Sequence, residues 1–174
     1  MGEAKRRADA AVGTFNAAWG MKRLNALANR PDIAYQLAPL YTDLDLSAVF
    51  ENPANVVVFE GAGAMIFAAI PDRAGWYDTH YLFPRSGGAA NLEAARKCVQ
   101  TMFDVHDAAV LCGNTPRSNV AARIISRMLG ARPVSAGVDS QGRDCLFYVL
   151  ERIRWTPRHS SASANNSAMT LKQV

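Results

Sequence analysis

Trp76-Tyr77-Asp78-Thr79-His80-Tyr81-Leu82-Phe83-Pro84-Arg85-Ser86-Gly87-Gly88-Ala89-Ala90 is the stretch on which the fold turns. Its first eight residues are rich in aromatics and read as an extended strand. The next six after Pro84 have the form Arg-x-x-Gly-x-Ala. Beyond them Leu92, Ala95, Cys98, Val99, Met102 and Phe103 recur at helical spacing. Small residues let a backbone come close to a ligand, and a helix start offers N–H groups and a positive dipole to an anion. A phosphate is the natural guest of such a loop. A glycine pair before a helix also serves as a plain turn.

The residues that follow extend the pattern. Ala108 to Cys112 is a short apolar strand, and Asn114-Thr115-Pro116-Arg117-Ser118-Asn119 reads as a polar turn. Ala122, Ile125, Met128 and Leu129 then line a helix that stops at Gly130. Strand, Arg-x-x-Gly-x-Ala, helix, strand, Asn-x-x-Ala-x-x-Ile, helix, Gly is an order that resembles the GNAT (Gcn5-related N-acetyltransferase) family, over roughly residues 28 to 151. A narrower likeness is carried by Asn29-Arg30-Pro31-Asp32, Glu51-Asn52-Pro53-Ala54-Asn55-Val56 and Tyr77-Asp78-Thr79-His80. These elements are similar to those of GNAT-like proteins of tailed bacteriophages, with Arg30 in place of a His and Asp78 in place of a Glu.

The expected fold is α/β (α+β): a mixed, mostly antiparallel sheet flanked by helices, with extended terminal arms. Trp19, Met21, Leu24 and Leu27 predict a short amphipathic helix, which Pro31 ends or restarts. Further helices are expected over 32–40 and over 45–50, the latter with Asp45 as N-cap. Strands are expected over 56–60, 64–70, 76–83 and 108–112, with a last hairpin of 133–138 and 144–150. The strands near 76–83 and 108–112 should be parallel neighbours, because the helix between them is a crossover. The chain divides into a basic arm or short helix over 1–27, a GNAT-like domain over 28–155 and a Ser/Asn-rich tail over 156–174.

Charge is concentrated in the arms. Residues 1–23 hold five Lys/Arg against two Asp/Glu, residues 152–174 hold four bases and no acid, and the body between holds ten bases against thirteen acids. Such arms suit an acidic protein surface. Nucleic acid is a poorer fit, since neither tail interleaves aromatics with its charges. No run of 18 apolar residues predicts a membrane span, and residues 1–7 lack the apolar stretch of a secretion signal. The expected location is the virion or the host cytoplasm. Cys98, Cys112 and Cys145 read as reduced core residues, and the three His form no metal-ligand spacing.

The resemblance implies a site. Acetyl-CoA would lie between the two parallel strands, its diphosphate on Arg85, Ser86, Gly87, Gly88, Ala89 and Ala90. Its pantetheine arm would pair with the strand at Leu82 and Phe83, Asn119 would contact the cofactor near the thioester, and Asn114 would be a further cofactor-binding residue. The base would be His80 with Asp78, two residues apart and so on one face of a strand. The family's usual acid is a Tyr seven residues after the Asn. That position is Ser126, and a serine hydroxyl is a much poorer acid than a phenol of pKa about 10. Two readings follow. The favoured one is a non-enzymatic or weakly active virion or assembly component, with vestigial acetyl-CoA binding or no cofactor at all. The alternative is an active acetyl-CoA-dependent N-acyltransferase acting on a protein or small amine.

Overall fold

The computed structural model describes residues 17–37, 43–155 and 169–170. The chain opens with helix α1 (17–28), followed by α2 (Pro31–Leu37) and α3 (Ser47–Glu51). Strands β1 (Val56–Glu60), β2 (Gly63–Ala69) and β3 (Trp76–Leu82) form a meander. A 3-10 turn, Arg85–Gly87, leads into α4 (Gly88–Asp104), which crosses to β4 (Val110–Pro116). Helix α5 (Val120–Met128) and the hairpin of β5 (Arg132–Val138) and β6 (Asp144–Glu151) complete the domain. A two-residue strand, β7 (Met169–Thr170), pairs with β1. The sheet order is β5-β6-β4-β3-β2-β1-β7. Among the described residues every pairing is antiparallel except β3 with β4.

The expected mixed sheet and its one parallel pair are therefore both present. Two cores sandwich its β1–β2 end. On one face Leu92, Cys98, Met102 and Phe103 of α4 pack on Val56, Val58, Met65 and Phe67. On the other, Leu24 and Leu27 of α1, Ile33 and Phe50 pack on Val57, Phe59, Ile66 and Leu82. Burial on both faces is why β1 reads as an unbroken apolar run instead of an alternating one. The second face is held by asparagines. Asn29 exchanges two hydrogen bonds with the backbone of Leu44, Asn25 Oδ1 accepts from Leu46 N–H, and Asn55 bridges Val49 O and Ala69 N–H. Asn29 and Asn55, singled out by the phage-like elements, thus tie loops to the scaffold. No described helix is long and apolar enough to cross a membrane.

Two boundaries differ from expectation. Helix α3 starts at Ser47, and its N-cap is Leu46 without a side-chain cap. Asp45 instead closes a local turn by accepting from Ser47 N–H and Oγ, and it also accepts from Asn25. Strand β4 continues through Asn114, Thr115 and Pro116, which a composition reading assigns to a turn. Its neighbour β6 offers a continuous partner from Glu151 down to Cys145, and Thr115 is buried. Helix α2 is described to Leu37, and the expected continuation to 40 lies outside the described residues. Residues 1–16 and most of 156–174, the two arms, also lie outside them; at 169–170 the chain returns to its own sheet.

Phe67 is fully buried in the core beneath α4. Phe67→Ala is expected to cost about 3–5 kcal/mol of unfolding free energy, read from urea denaturation. A loss below about 1 kcal/mol would contradict close packing on this face.

Candidate functional site

The site begins where β3 and β4 part. They pair over Trp76–Val110, Tyr77–Leu111 and Asp78–Cys112 only. Beyond that β3 stays on β2 as far as Leu82–Ala64, while β4 stays on β6 as far as Pro116–Cys145. Each is held by its outer neighbour, so a slot opens between Thr79–Leu82 and Gly113–Pro116. At its vertex the Thr79 hydroxyl donates to Cys112 O at 2.9 Å. Gly113 lets the strands meet there, since a Cβ would stand 3.0 Å from Thr79 O and 3.1 Å from its hydroxyl. Half the N–H and C=O groups of each strand point into the slot, and such groups need a partner.

The slot leads to the Arg85–Ala90 loop. Gly88 adopts φ 48° and ψ −123°, a combination closed to side-chain-bearing residues, and a Cβ there would meet open space. The Asn91 amide donates to Pro84 O at 2.6 Å and folds over Gly87. The start of α4 has no side-chain cap. Arg85, Ser86, Gly88, Ala89 and Ala90 are exposed and Gly87 is half-buried. One anion is already in place: Asp32 of α2 accepts Arg85 N–H at 3.0 Å and pairs with Arg30 at 3.1 Å. The Arg30 guanidinium, with the Arg85 N–H, holds the Asp32 carboxyl below the usual carboxylate range.

Leu82 buries its side chain in the second core, so only its backbone faces the slot. Phe83 is half-buried and packs against the first core. Asp78 and His80 share the opposite face of β3 from α4, with His80 Nε2 3.4 Å from Asp78 Oδ2 and both side chains nearly half exposed. Asn114 is exposed on β4. Asn119 is the N-cap of α5, its Oδ1 accepting Ala122 N–H at 3.1 Å.

Ser126 is 2% exposed, and its hydroxyl lies 3.4 Å from the hydroxyl of Tyr81. Burial pushes the Tyr81 phenol upward; the Ser126 contact opposes this and the Cys98 thiol adds to it. Residue-by-residue reading finds Ser126 but misses its phenol partner, because 45 positions separate the two. It misses Asp32 for a similar reason, since nothing in the sequence shows α2 reaching the loop. The buried thiols are poor nucleophiles. Burial lifts Cys98 to about 12, helped by Glu60, and Cys112 to about 11, helped by Asp78. Among the described residues no cluster of metal-ligating side chains forms. An open depression of about 590 Å³ lined by Asp107–Val110 and Glu151–Ile153 lies at the other end of β4 and holds none of these groups.

No protein-family model and no curated protein matches the chain. Solved structures do. A GNAT-family acetyltransferase from Bacillus anthracis aligns with a TM-score of 0.56 at 12% identity, over 76% of this chain and 89% of that one. An acetyltransferase from T. thermophilus aligns with a TM-score of 0.51 at 19% identity, over 64% and 66%. RimJ from Mycobacterium smegmatis in complex with CoA-disulfide aligns with a TM-score of 0.51 at 18% identity, over 61% and 57%. The chain thus has the fold of GNAT acetyltransferases. It spans 66% and 57% of the length of the last two.

The Asp32 contact sets a pH dependence. A carboxyl whose folded pKa lies below its ordinary value of 3.8 stabilises the fold above that value, and the contribution is lost as pH falls through the folded pKa. The Arg85 amide resonance is expected to follow this titration with a midpoint below 3.8. A midpoint at or above 3.8 in an NMR pH series would exclude the contact.

Proposed function

We propose that the protein is an acetyl-CoA-dependent acyltransferase that uses the β3–β4 slot to hold the donor and passes its acetyl group to an amine. The observation that carries this reading is the slot itself. A parallel pair of three residues opens directly onto an exposed Arg-x-x-Gly-x-Ala loop with an uncapped helix start. The residues suit the donor. Of the backbone N–H groups from Ser86 to Ala90, that of Gly87 is taken by Pro84 O; those of Ser86, Gly88, Ala89 and Ala90 belong to exposed residues that a diphosphate can reach, and Gly88 leaves space for close approach. The free backbone edge of Thr79–Leu82 takes the amide groups of a pantetheine arm as a strand would. Acetyl-CoA supplies an activated thioester; positioning and proton transfer fall to the protein.

His80 is the base in this reading. Asp78 at 3.4 Å orients the imidazole, and both lie on the sheet face that the α1–α3 layer leaves uncovered. An amine reaching that face finds Trp76 and Phe147 beside it as apolar ground. The RimJ–CoA-disulfide complex among the structural neighbours supports a CoA ligand. The comparisons favour this enzymatic reading over the assembly role suggested by the phage-like elements, for which they hold no support.

Calorimetric titration with CoA tests the reading. The wild-type chain is expected to bind, and Gly88→Val to lose binding while keeping its far-ultraviolet spectrum. Asp32→Asn should tighten binding by about fivefold, because it removes a negative charge from beside the diphosphate loop. Absence of binding at millimolar CoA would overturn the proposal. In an acetyl-transfer assay, His80→Ala is expected to lower turnover by about 10²–10⁴-fold. Full activity in that variant would move the base elsewhere.

A further inference from the structure

The two faces of the slot differ in chemistry. His80 and Asp78 occupy one. The next residue along β3, Tyr81, points to the other, towards α4 and α5. Its hydroxyl meets Ser126 of α5 at 3.4 Å, and α5 is the continuation of β4. This contact therefore bridges the two walls of the slot. The groups acting on the phenol are Ser126 and the Cys98 thiol of α4, and neither is a carboxylate or a cation. The phenol is thus neutral at neutral pH and carries its proton. Other hydroxyls and thiols on this face are less suited. Thr79 already donates to Cys112 O, and Cys98 to Val58 O, and the Tyr77 phenol stands where β3 is still paired with β4 at Leu111. Tyr148, whose buried hydroxyl has no hydrogen-bond partner among the described residues, stands on β6, one strand beyond the slot wall.

We propose that Tyr81 donates the proton required by the departing CoA thiolate, with Ser126 as its positioning residue; the assignment rests on the acyltransferase reading. The amine nitrogen attacks the thioester carbonyl carbon, a C–N bond forms and the C–S bond breaks. The electron pair leaves on sulfur, which takes the Tyr81 O–H proton and departs as a thiol. The Ser126 hydroxyl donates to the phenolate as charge appears there. On the opposite face His80 takes the proton lost by the amine and returns it to solvent, from which Tyr81 is reprotonated. The phenol missing from position 126 is in this way supplied from the neighbouring strand, at the hydroxyl of the residue that stands there.

The test compares CoA with desulfo-CoA, which differs only at sulfur, by calorimetry on wild type, Tyr81→Phe, Ser126→Ala and Tyr148→Phe. Tyr81→Phe should weaken CoA by about fivefold while desulfo-CoA is unchanged. Ser126→Ala should shift the same difference by less, and Tyr148→Phe should leave it alone. In acetyl transfer to hydroxylamine, Tyr81→Phe should lower kcat by about 10²–10⁴-fold with KM for acetyl-CoA little changed. Equal effects on both ligands, no effect on either, or a sulfur-specific loss in Tyr148→Phe would overturn the assignment. A wild-type chain that binds neither ligand would defeat the acyltransferase reading itself. A wild-type chain that binds both, with no sulfur-specific loss in Tyr81→Phe, would defeat the role of Tyr81 alone.

Discussion

The structure depends on how briefly β3 and β4 stay together. Three paired residues are enough to join the β1–β3 meander to the β4–β6 unit in one sheet. They are too few to use up the inner edges of either strand. Both strands have strong outer partners, β2 across six residues and β6 across seven. Each follows its own partner's twist, and the divergence needs no loop or bulge to force it. Helix α4 links the two strands as a crossover and rests on β1 and β2 through Cys98, Met102 and Phe103. The slot is a consequence of sheet pairing, and it is rigid because its walls are strands held on their outer sides.

In the proposed acyltransferase reading, that geometry separates the acid from the base. Side chains alternate along β3, so His80 and Tyr81 are adjacent in sequence yet lie on opposite faces. The base side is nearly half exposed and open to an incoming amine. The other side is closed by α4 and α5, where burial keeps Tyr81 protonated and Ser126 out of solvent. Transfer from a thioester needs this polarity: a proton leaves on the side of attack and arrives on the side of the leaving group. Placing the two groups on adjacent residues of one strand sets their separation by backbone geometry.

Much of this was legible in the residues. Aromatic alternation in Trp76–Phe83, the glycine pair at 87–88 and the apolar spacing from Leu92 to Phe103 define a strand–loop–helix unit. The short run at 108–112 closes it as a crossover between parallel strands. The unread parts are those in which a distant partner decides. Asn114-Thr115-Pro116 has turn composition, but β6 pairs with it throughout. Asp45 has the composition of an N-cap but closes a turn one residue earlier. Asn29 and Asn55 stand out as motif residues, yet their amides serve loops that contribute nothing to the slot. Position 126 looked like the loss of an acid because the phenol that reaches it belongs to another element.

Asp32 sits beside the loop proposed to take the diphosphate. The start of α4 has no side-chain cap, and the carboxylate from α2 accepts the N–H of Arg85 just before it. The contact also anchors α2, whose Leu37 carbonyl accepts from Gln141 Nε2 at 3.4 Å. In the proposed reading a diphosphate entering the loop meets that carboxylate, so ligand binding and α2 docking work against each other. By linkage the opposition is reciprocal: whatever factor Asp32 takes from anion affinity, the anion takes from the Asp32–Arg85 contact. Arg30 limits the conflict. It is paired with the carboxylate at 3.1 Å whether or not Arg85 is engaged, so Asp32 can release the loop without being left as an isolated charge.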